Sequence, residues 1–113
     1  MPDRRRGQVA ETAELRRLRR RIDALDRRIV AMLNERARLA REAGDAKAAA
    51  GWRFVRDPER EREILLRVSM ANEGPLPQAD LLALYRRLFS ATRELETRDR
   101  ARSRTEGDGS SGS

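Results

Sequence analysis

The first half of the chain carries a stripe of apolar residues whose spacing alternates between three and four. The stripe consists of Leu15, Leu18, Ile22, Leu25, Ile29, Met32, Leu39 and Ala43. This period predicts an amphipathic helix, for which Thr12 is a candidate N-cap. No proline occurs between Thr12 and Gly51, where we expect the helix to stop. The helix would hold about 40 residues and measure about 60 Å at 1.5 Å per residue.

Two shorter helices are predicted in the second half. Asp57 followed by Pro58 is a typical helix start, because Asp caps the helix and proline fits its first position. This second helix ends near residues 72–74, and a proline-containing loop leads to a third helix from about Gln78 to about Arg100. Their apolar stripes contain Ile64, Leu65, Val68, Leu81, Tyr85, Leu88 and Leu95. No strand pattern competes, so the predicted fold class is all-α, with three helices per chain.

The length of the first helix predicts how the chain is organised. A chain of 113 residues has room for one domain with a modest core. Two short helices cannot cover a stripe of about 60 Å, so we expect it to pair with the same helix of a second chain in an interlocked, helical homodimer. The domain is predicted at residues 12–100, between a disordered basic arm at residues 1–11 and a flexible tail at residues 101–113.

The composition limits the reactive groups that the chain could use in catalysis or metal binding. The sequence has no Cys and no His, which removes thiolate nucleophiles, the usual zinc ligands and the ordinary general base of neutral pH. Carboxylates, amines and guanidiniums are left, and we expect neither a metal nor a cofactor. No apolar run approaches the roughly 20 residues of a membrane span, and the basic start lacks the apolar stretch of a signal peptide. A cytoplasmic location without membrane contact is expected.

The formal net charge of +7 suits nucleic acid, an acidic membrane surface or a small anion. Acidic residues are interspersed along every predicted helix and aromatic residues make up only 4% of the chain, so we expect no binding of nucleic acid. A basic helical dimer that binds nucleic acid stays the alternative from a different class. Among the 26 basic residues Lys47 is the only lysine. Either a compact amine is required there, or the lysine persists by chance.

Polar residues interrupt the apolar stripe of the first helix. Arg36 takes the position that should follow Ile29 and Met32, and Lys47 lies about three turns further on nearly the same face. Burying a lone charge is costly, so these two cations could converge on one anion. Alternatively, Arg36 pairs with an acid or extends to water.

The other two helices show the same kind of interruption. Glu61, beside Arg60, shares the apolar face of the second helix, and Thr92 and Glu96 lie on the stripe of the third. A Glu near a helix N-terminus also complements the helix dipole, and Glu96 could be a solvated residue near the helix end. Taken together, the inward polar residues predict a site for a small anion.

Several short segments stand out by their order and spacing. They are Leu-Arg-Arg-Arg-Ile-Asp-Ala-Leu-Asp at residues 18–26, Glu-Arg at 35–36, Leu-Ala at 39–40, Gly44 with Lys47, Val-Arg-Asp-Pro-Glu-Arg-Glu at 55–61 and Tyr-Arg-Arg-Leu-Phe-Ser-Ala-Thr at 85–92. Together they resemble the AroQ-type, all-helical chorismate mutases over residues 18–96. The resemblance implies an isomerase that converts chorismate to prephenate by a Claisen rearrangement in phenylalanine and tyrosine biosynthesis.

The resemblance also implies a role for each matching residue. Lys47 and Glu96 would donate hydrogen bonds to the ether oxygen of the substrate, and Arg36 is the third residue expected to act in catalysis. The residues expected to bind the substrate are Arg19, Arg36, Lys47, Arg56, Asp57, Arg60, Glu61 and Thr92. The arginines, assisted by the threonine, would hold the two carboxylates, and the two acidic positions would meet the ring hydroxyl.

In the family the residue at Arg19 comes from the partner chain. Helix geometry agrees, because Arg19 lies about 25 Å from Arg36 along the same predicted helix. One small ligand cannot touch both residues of one chain. An antiparallel partner helix would bring the second Arg19 to the first Arg36 and give two sites per dimer.

Some positions depart from the family pattern. Asp45 stands where a basic or neutral residue is commoner, and Thr92 replaces a serine. Glu96 occupies a position that holds Gln or Glu, and a carboxyl group donates only when protonated. We therefore expect burial to raise its pKa from about 4.3.

Other functions are compatible with the same fold. An isochorismate pyruvate lyase or an aminodeoxychorismate mutase remains an alternative, although residues 55–61 favour the mutase. Docking onto another enzyme of the shikimate pathway also stays open.

Overall fold

The computed structural model describes residues 10–111, with side chains described to residue 107. Within these residues it contains three α-helices and no strand: α1 spans Ala13–Ala49, α2 spans Pro58–Ala71 and α3 spans Gln78–Ser111. The predicted all-α class with three helices is confirmed, but the expectation of one very long helix is not, because α3 with 34 residues is nearly as long as α1 with 37. Residues 1–9 of the predicted arm and 112–113 of the predicted tail lie outside the described residues, and the predicted domain limits stay predictions.

The chain divides into two compact units, Met1–Arg36 and Ala37–Ser113. The described part of the first unit contains the N-terminal portion of α1. Thr12 caps this helix as predicted, because its Oγ1 accepts a hydrogen bond from the backbone N–H of Leu15 at 3.0 Å. The large apolar residues of this portion are exposed in the single chain, each to between 39% and 59%. The apolar stripe that the sequence predicts is therefore accessible to a partner.

In the second unit α1 ends in a turn that requires glycine. Gly51 adopts a φ of +89°, a conformation that other residues rarely take. Its N–H donates to the carbonyl of Ala48 at 3.1 Å, and the N–H of Trp52 donates to the carbonyl of Lys47 at 3.0 Å. This pair of bonds is a Schellman motif. It stops the helix and directs Trp52 back toward the last turn of α1.

Helix α2 begins as the sequence predicts. Asp57 is its N-cap and accepts a hydrogen bond from the backbone N–H of Arg60 at 3.2 Å, and Pro58 occupies the first helical position. At the other end the side chain of Asn72 donates to the carbonyl of Leu76 at 3.1 Å and accepts from the N–H of Gly74 at 3.0 Å. Asn72 thus fixes the short loop that leads to α3.

Helix α3 is longer than the sequence predicts. The predicted end near Arg100 is wrong, because the helix continues to Ser111. Residues 101–106 contain neither proline nor glycine, so no breaker interrupts the backbone hydrogen bonds at the predicted point. The polar composition of this segment was a poor guide to its end.

Few residues are buried in the second unit. Among those described they are Gly44 on α1 and Phe89, Thr92 and Glu96 on α3. The ring of Phe89 meets that of Tyr85 edge to face, with centroids 6.3 Å apart. The buried face of α3 therefore combines one aromatic residue with two polar ones, which is unusual for a core.

The described helices give no sign of a membrane segment, since none combines the length and the apolar character that a bilayer span needs. The predicted cytoplasmic location stays a prediction.

Candidate functional site

Lys47 and Glu96 face each other in the second unit. Lys47 lies in the last turn of α1, and its Nζ is 3.5 Å from Oε2 of Glu96 on α3. The side chains are only 19% and 10% exposed. The interpretation of Glu96 as a solvated helix-end residue is therefore excluded. The structure brings together the two residues that the sequence predicts to act as hydrogen-bond donors.

The ammonium of Lys47 is held by two further groups. It donates a hydrogen bond to the backbone carbonyl of Val55 at 3.1 Å. It also lies 5.8 Å from the centre of the Trp52 ring, within the range of a cation–π interaction. Both groups belong to the connection between α1 and α2, residues 50–57. The amine is thus oriented by the connection as well as by α3.

Burial determines the protonation preference of Glu96. Removal of the carboxyl group from water raises the pKa of Glu96 above its ordinary value of 4.5, against the opposing charges of Lys47 and Arg100. Desolvation is the largest of these effects. The site therefore favours the neutral acid more than water does, in the direction predicted from the sequence.

A glycine on α1 makes room for Glu96. A Cβ atom placed on Gly44 would lie 3.0 Å from Cγ and 3.2 Å from the carboxyl carbon of Glu96. These distances are shorter than an ordinary van der Waals contact. Gly44 belonged to the motif that carried the family resemblance, and the structure supplies a physical reason for it: α1 and α3 approach closely at this residue.

Thr92 lies one turn before Glu96 on the buried face of α3. Its hydroxyl group donates to the carbonyl oxygens of Leu88 and Phe89, each at 3.0 Å. In this conformation the hydroxyl proton serves the helix backbone, and its oxygen can only accept a further hydrogen bond. To donate to a carboxylate, the hydroxyl would have to rotate away from the backbone.

A second polar cluster lies between α2 and α3. The carboxylate of Glu61 accepts a hydrogen bond from the guanidinium of Arg93. Both residues, with Arg56, line a cavity of about 260 Å³. Sequence reasoning identified Arg56 and Glu61 but missed Arg93. The signal was available, because Arg86, Phe89 and Arg93 share one face of α3 at spacings of three and four, and all three line this cavity.

The remaining predicted residues have other partners. Asp57 acts as the cap of α2, and the guanidinium of Arg60 lies 3.4 Å from the carboxylate of Glu63. In the first unit Arg19 pairs with Glu11 at 2.8 Å. Arg36, the last residue of that unit, is half-buried and engaged in an interaction. The single chain thus assembles only part of the predicted site.

A larger cavity, of about 730 Å³, lies between the end of α1 and α3, with Gly44 and Glu96 in its wall. The guanidinium of Arg41 on α1 donates two hydrogen bonds, of 2.9 and 2.8 Å, to the carboxylate of Asp99 on α3. These hydrogen bonds lower the pKa of Asp99 and raise that of Arg41. Sequence reasoning missed this pair because the two residues are 58 positions apart.

These groups define the chemistry that is available. Among the described residues no group of three His, Cys, Asp or Glu side chains could hold a metal ion. What the second unit presents is an amine and a carboxyl group whose pKa is raised by burial, facing each other at a largely buried position. Such a pair can donate hydrogen bonds to an oxygen atom that becomes more negative during a reaction.

Comparison with known proteins gives consistent results. The family model described as chorismate mutase type II matches residues 18–97. A bifunctional chorismate mutase/prephenate dehydratase from Aquifex aeolicus (strain VF5) is 41% identical over 87 residues, which cover 74% of this chain and 24% of that protein. A protein of the same description from Stutzerimonas stutzeri is 37% identical over 93 residues, which cover 78% of this chain and 25% of that one. The chain thus spans about a quarter of the length of these relatives.

Solved structures resemble the fold as well. The structure of chorismate mutase (form II) from Thermus thermophilus superposes with a TM-score of 0.72 at 34% identity. The superposition covers 75% of this chain and 96% of the other. A second form of the same protein gives a TM-score of 0.67 at 33% identity, covering 70% and 98%.

The close approach of Gly44 to Glu96 gives a first prediction. Gly44→Ala alone should leave the free energy of unfolding unchanged or lower it, because the gain in helix propensity of about 1 kcal/mol is offset by the contact with Glu96. In a Glu96→Ala background the contact is absent. There the same substitution should raise the free energy of unfolding by about 1 kcal/mol. Urea denaturation at one fixed chain concentration measures all four proteins, and an equal gain in both backgrounds would contradict the assignment.

Proposed function

The chain belongs to the chorismate mutase type II family, and from that premise we propose that it converts chorismate to prephenate by a Claisen rearrangement. The observation that carries the proposal is the pair of Lys47 and Glu96, 3.5 Å apart, with side chains only 19% and 10% exposed. The names of the bifunctional relatives support the direction of the reaction, since they combine a mutase with a dehydratase for prephenate. The proposed product is the compound that such a dehydratase consumes.

The reaction needs what this chain offers. A Claisen rearrangement breaks one carbon–oxygen bond and forms one carbon–carbon bond in a single step, without nucleophile, metal or proton transfer. It is accelerated by holding the substrate in a compact conformation and by donors at the ether oxygen, which gains negative charge as its bond breaks. The amine of Lys47 and the protonated carboxyl of Glu96 are these donors. The absence of His and Cys from the sequence does not limit this reaction, because it needs no nucleophile and no metal.

The substrate is a dianion, and arginines hold its carboxylates in this proposal. Arg36 and Arg60 of one chain and Arg19 of a second chain bind them, with Arg56 and Thr92 in support. Glu61 and the backbone at Asp57 meet the ring hydroxyl. The hydrogen bond from Arg93 supports this role for Glu61, because it fixes the carboxylate in the cavity that Arg56 also lines.

The proposal includes a homodimer whose two chains share each site. The exposed stripe on the first unit supports it, because large apolar residues from Leu15 to Leu33 are 39–59% accessible in the single chain and such faces are normally covered. The length of α1, 37 residues, corresponds to about 55 Å. Arg19 and Arg36, which both lie in the first unit, are about 25 Å apart along α1, too far for a single small ligand to contact both within one chain.

The direct test is consumption of chorismate by the purified chain with identification of the product. Prephenate is expected, and Lys47→Ala should lower kcat by about 10²- to 10³-fold, as loss of a donor to a developing negative charge does. Arg36→Ala should mainly raise KM, because it removes a group that binds the substrate. Arg98→Ala is the matched control: it also removes a cation, and Arg98 pairs only locally with Glu94 on α3.

Two results would contradict the assignment. One is preferential turnover of isochorismate or aminodeoxychorismate in parallel incubations. The other is unchanged kcat in Lys47→Ala alongside unchanged kcat in the control.

The shared site predicts complementation between two inactive variants. Arg19→Ala and Lys47→Ala each damage both sites of their own homodimer. After unfolding and joint refolding, about half the dimers are mixed, and each mixed dimer has one complete site. The mixture should then recover about a quarter of the wild-type kcat. If Arg19 acts within its own chain, or if the chain is a monomer, no activity returns.

The raised pKa of Glu96 predicts the pH dependence. A carboxyl group donates only below its pKa, so kcat should be highest at acidic pH and fall as the pH rises through the pKa of Glu96, which lies above 4.5. Glu96→Gln donates through its amide at any pH and should flatten the profile. This variant is also the control for titration of the substrate itself. A wild-type kcat that does not change with pH, or an equal fall in Glu96→Gln, would contradict the role of Glu96.

A further inference from the structure

We propose that Arg100 is a positioning residue, which fixes the connection between α1 and α2 so that this connection orients the amine of Lys47. The inference rests on the proposed function in one respect, that Lys47 is the donor to the reacting oxygen. Arg100 does not belong to the set of residues predicted from the sequence. Its role follows from contacts that are all within the second unit.

The connection is the element that holds the amine. Nζ of Lys47 donates to the carbonyl of Val55 at 3.1 Å and lies 5.8 Å from the centre of the Trp52 ring. A displacement of residues 52–55 would therefore move the amine or leave it without these partners. Because donation to a reacting atom depends steeply on distance and angle, such a displacement would reduce kcat.

The connection has few contacts of its own. Trp52 is 47% exposed and Phe54 is 74% exposed, so neither ring is enclosed by the fold. The Schellman motif fixes the backbone only as far as Trp52. Exposed segments with few packing contacts open readily. Lys47 holds the carbonyl of Val55, so the backbone between Trp52 and Val55 is the part that needs a further restraint.

Arg100 supplies that restraint. Its Nη1 donates to the carbonyl oxygens of Trp52 at 2.9 Å and Arg53 at 3.1 Å. These are charge-assisted hydrogen bonds, which are stronger than those between neutral groups. They join two successive carbonyls of the connection to α3. The side chain of Arg100 thus ties the connection directly to α3.

The position of Arg100 on α3 makes the restraint relevant to the site. It follows Glu96 by one helical turn, so the same segment of α3 carries the carboxyl group and fixes the support of the amine. The neighbouring Asp99 is tied to Arg41 on α1 by hydrogen bonds of 2.9 and 2.8 Å. Asp99 and Arg100 therefore tie this segment of α3 to α1 and to the connection, the two elements that carry Lys47 and its partners.

A competing explanation is that Arg100 binds the substrate directly, since its side chain also lines the larger cavity. The two roles differ in their kinetic effects. Loss of a binding contact raises KM, whereas loss of a restraint on the donor lowers kcat at nearly constant KM. The chain also provides a reporter that requires no substrate. Trp52 is its only tryptophan, and its carbonyl is one of the two that Arg100 holds.

The test compares the full-length wild type with Arg100→Met, which keeps most of the aliphatic stem and removes the guanidinium. We expect kcat for chorismate to fall about tenfold with KM within about twofold. We expect acrylamide quenching of Trp52 fluorescence to increase, because the connection is released. Rates are measured at the acidic end of the pH profile, where Glu96 is protonated in every variant. Arg98→Ala, which removes an exposed cation from the same helix, should change neither quantity.

The outcomes separate cleanly. Wild-type kcat and quenching in Arg100→Met would overturn the proposal, and so would a higher KM with unchanged quenching, which indicates direct binding. Should Arg100→Met fail to fold, Arg100→Lys replaces it, with a fall in kcat of about threefold expected because one ammonium cannot serve both carbonyls as well. Unchanged kcat and quenching in Arg100→Lys would then be decisive against the proposal. If the wild type has no mutase activity the proposed function fails, while the quenching comparison still tests the restraint.

Discussion

The structure depends on one constraint, the burial of a cation and an acid against each other where α1 meets α3. Charged groups lose their hydration on burial, and mutual attraction offsets this cost only when the geometry is good. Lys47 meets the condition with three neighbours: the carboxyl group of Glu96, the carbonyl of Val55 and the ring of Trp52. For Glu96 the cost of desolvation exceeds the stabilisation by Lys47 and Arg100, so its pKa is raised. Gly44 permits the arrangement, because any larger residue would push Glu96 away from α1.

The buried polar residues of α3 also explain why so few apolar side chains are buried in the described part of the chain. Thr92 and Glu96 occupy buried positions on α3 that apolar residues would fill in a helix built for stability alone, which leaves Phe89 as the buried apolar side chain among the described residues. Sequences break the apolar pattern mainly where function requires it. The stability that such a core lacks has to come from elsewhere. The accessible stripe on the first unit is an apolar surface that a second copy could cover and thereby stabilise.

The sequence predicted those features that depend on local pattern. The caps at Thr12 and Asp57 and the stop at Gly51 follow from residue type and helical period, whereas helical period alone left open whether Glu96 is solvated or points inward. Pairings between distant residues were not predictable, because Arg100 is 48 positions from Trp52 and many other arginines could have made the same contact. The predicted end of α3 was wrong for a related reason. The polar composition suggested a flexible tail, whereas residues 101–106 contain no proline or glycine that would end the helix.

The single lysine among so many arginines becomes intelligible from its surroundings. An ammonium carries three N–H donors around one small centre, whereas a guanidinium spreads five in a rigid plane. At Lys47 one donor serves the carbonyl of Val55 and a second faces Glu96, and in the proposed function the third serves the ether oxygen of the substrate. A guanidinium holds its donors in one plane and is therefore less suited to a carbonyl, a carboxyl group and a ligand that lie in three directions. The requirement is geometric, because the charge alone would have been supplied equally well by the residue that this sequence uses everywhere else.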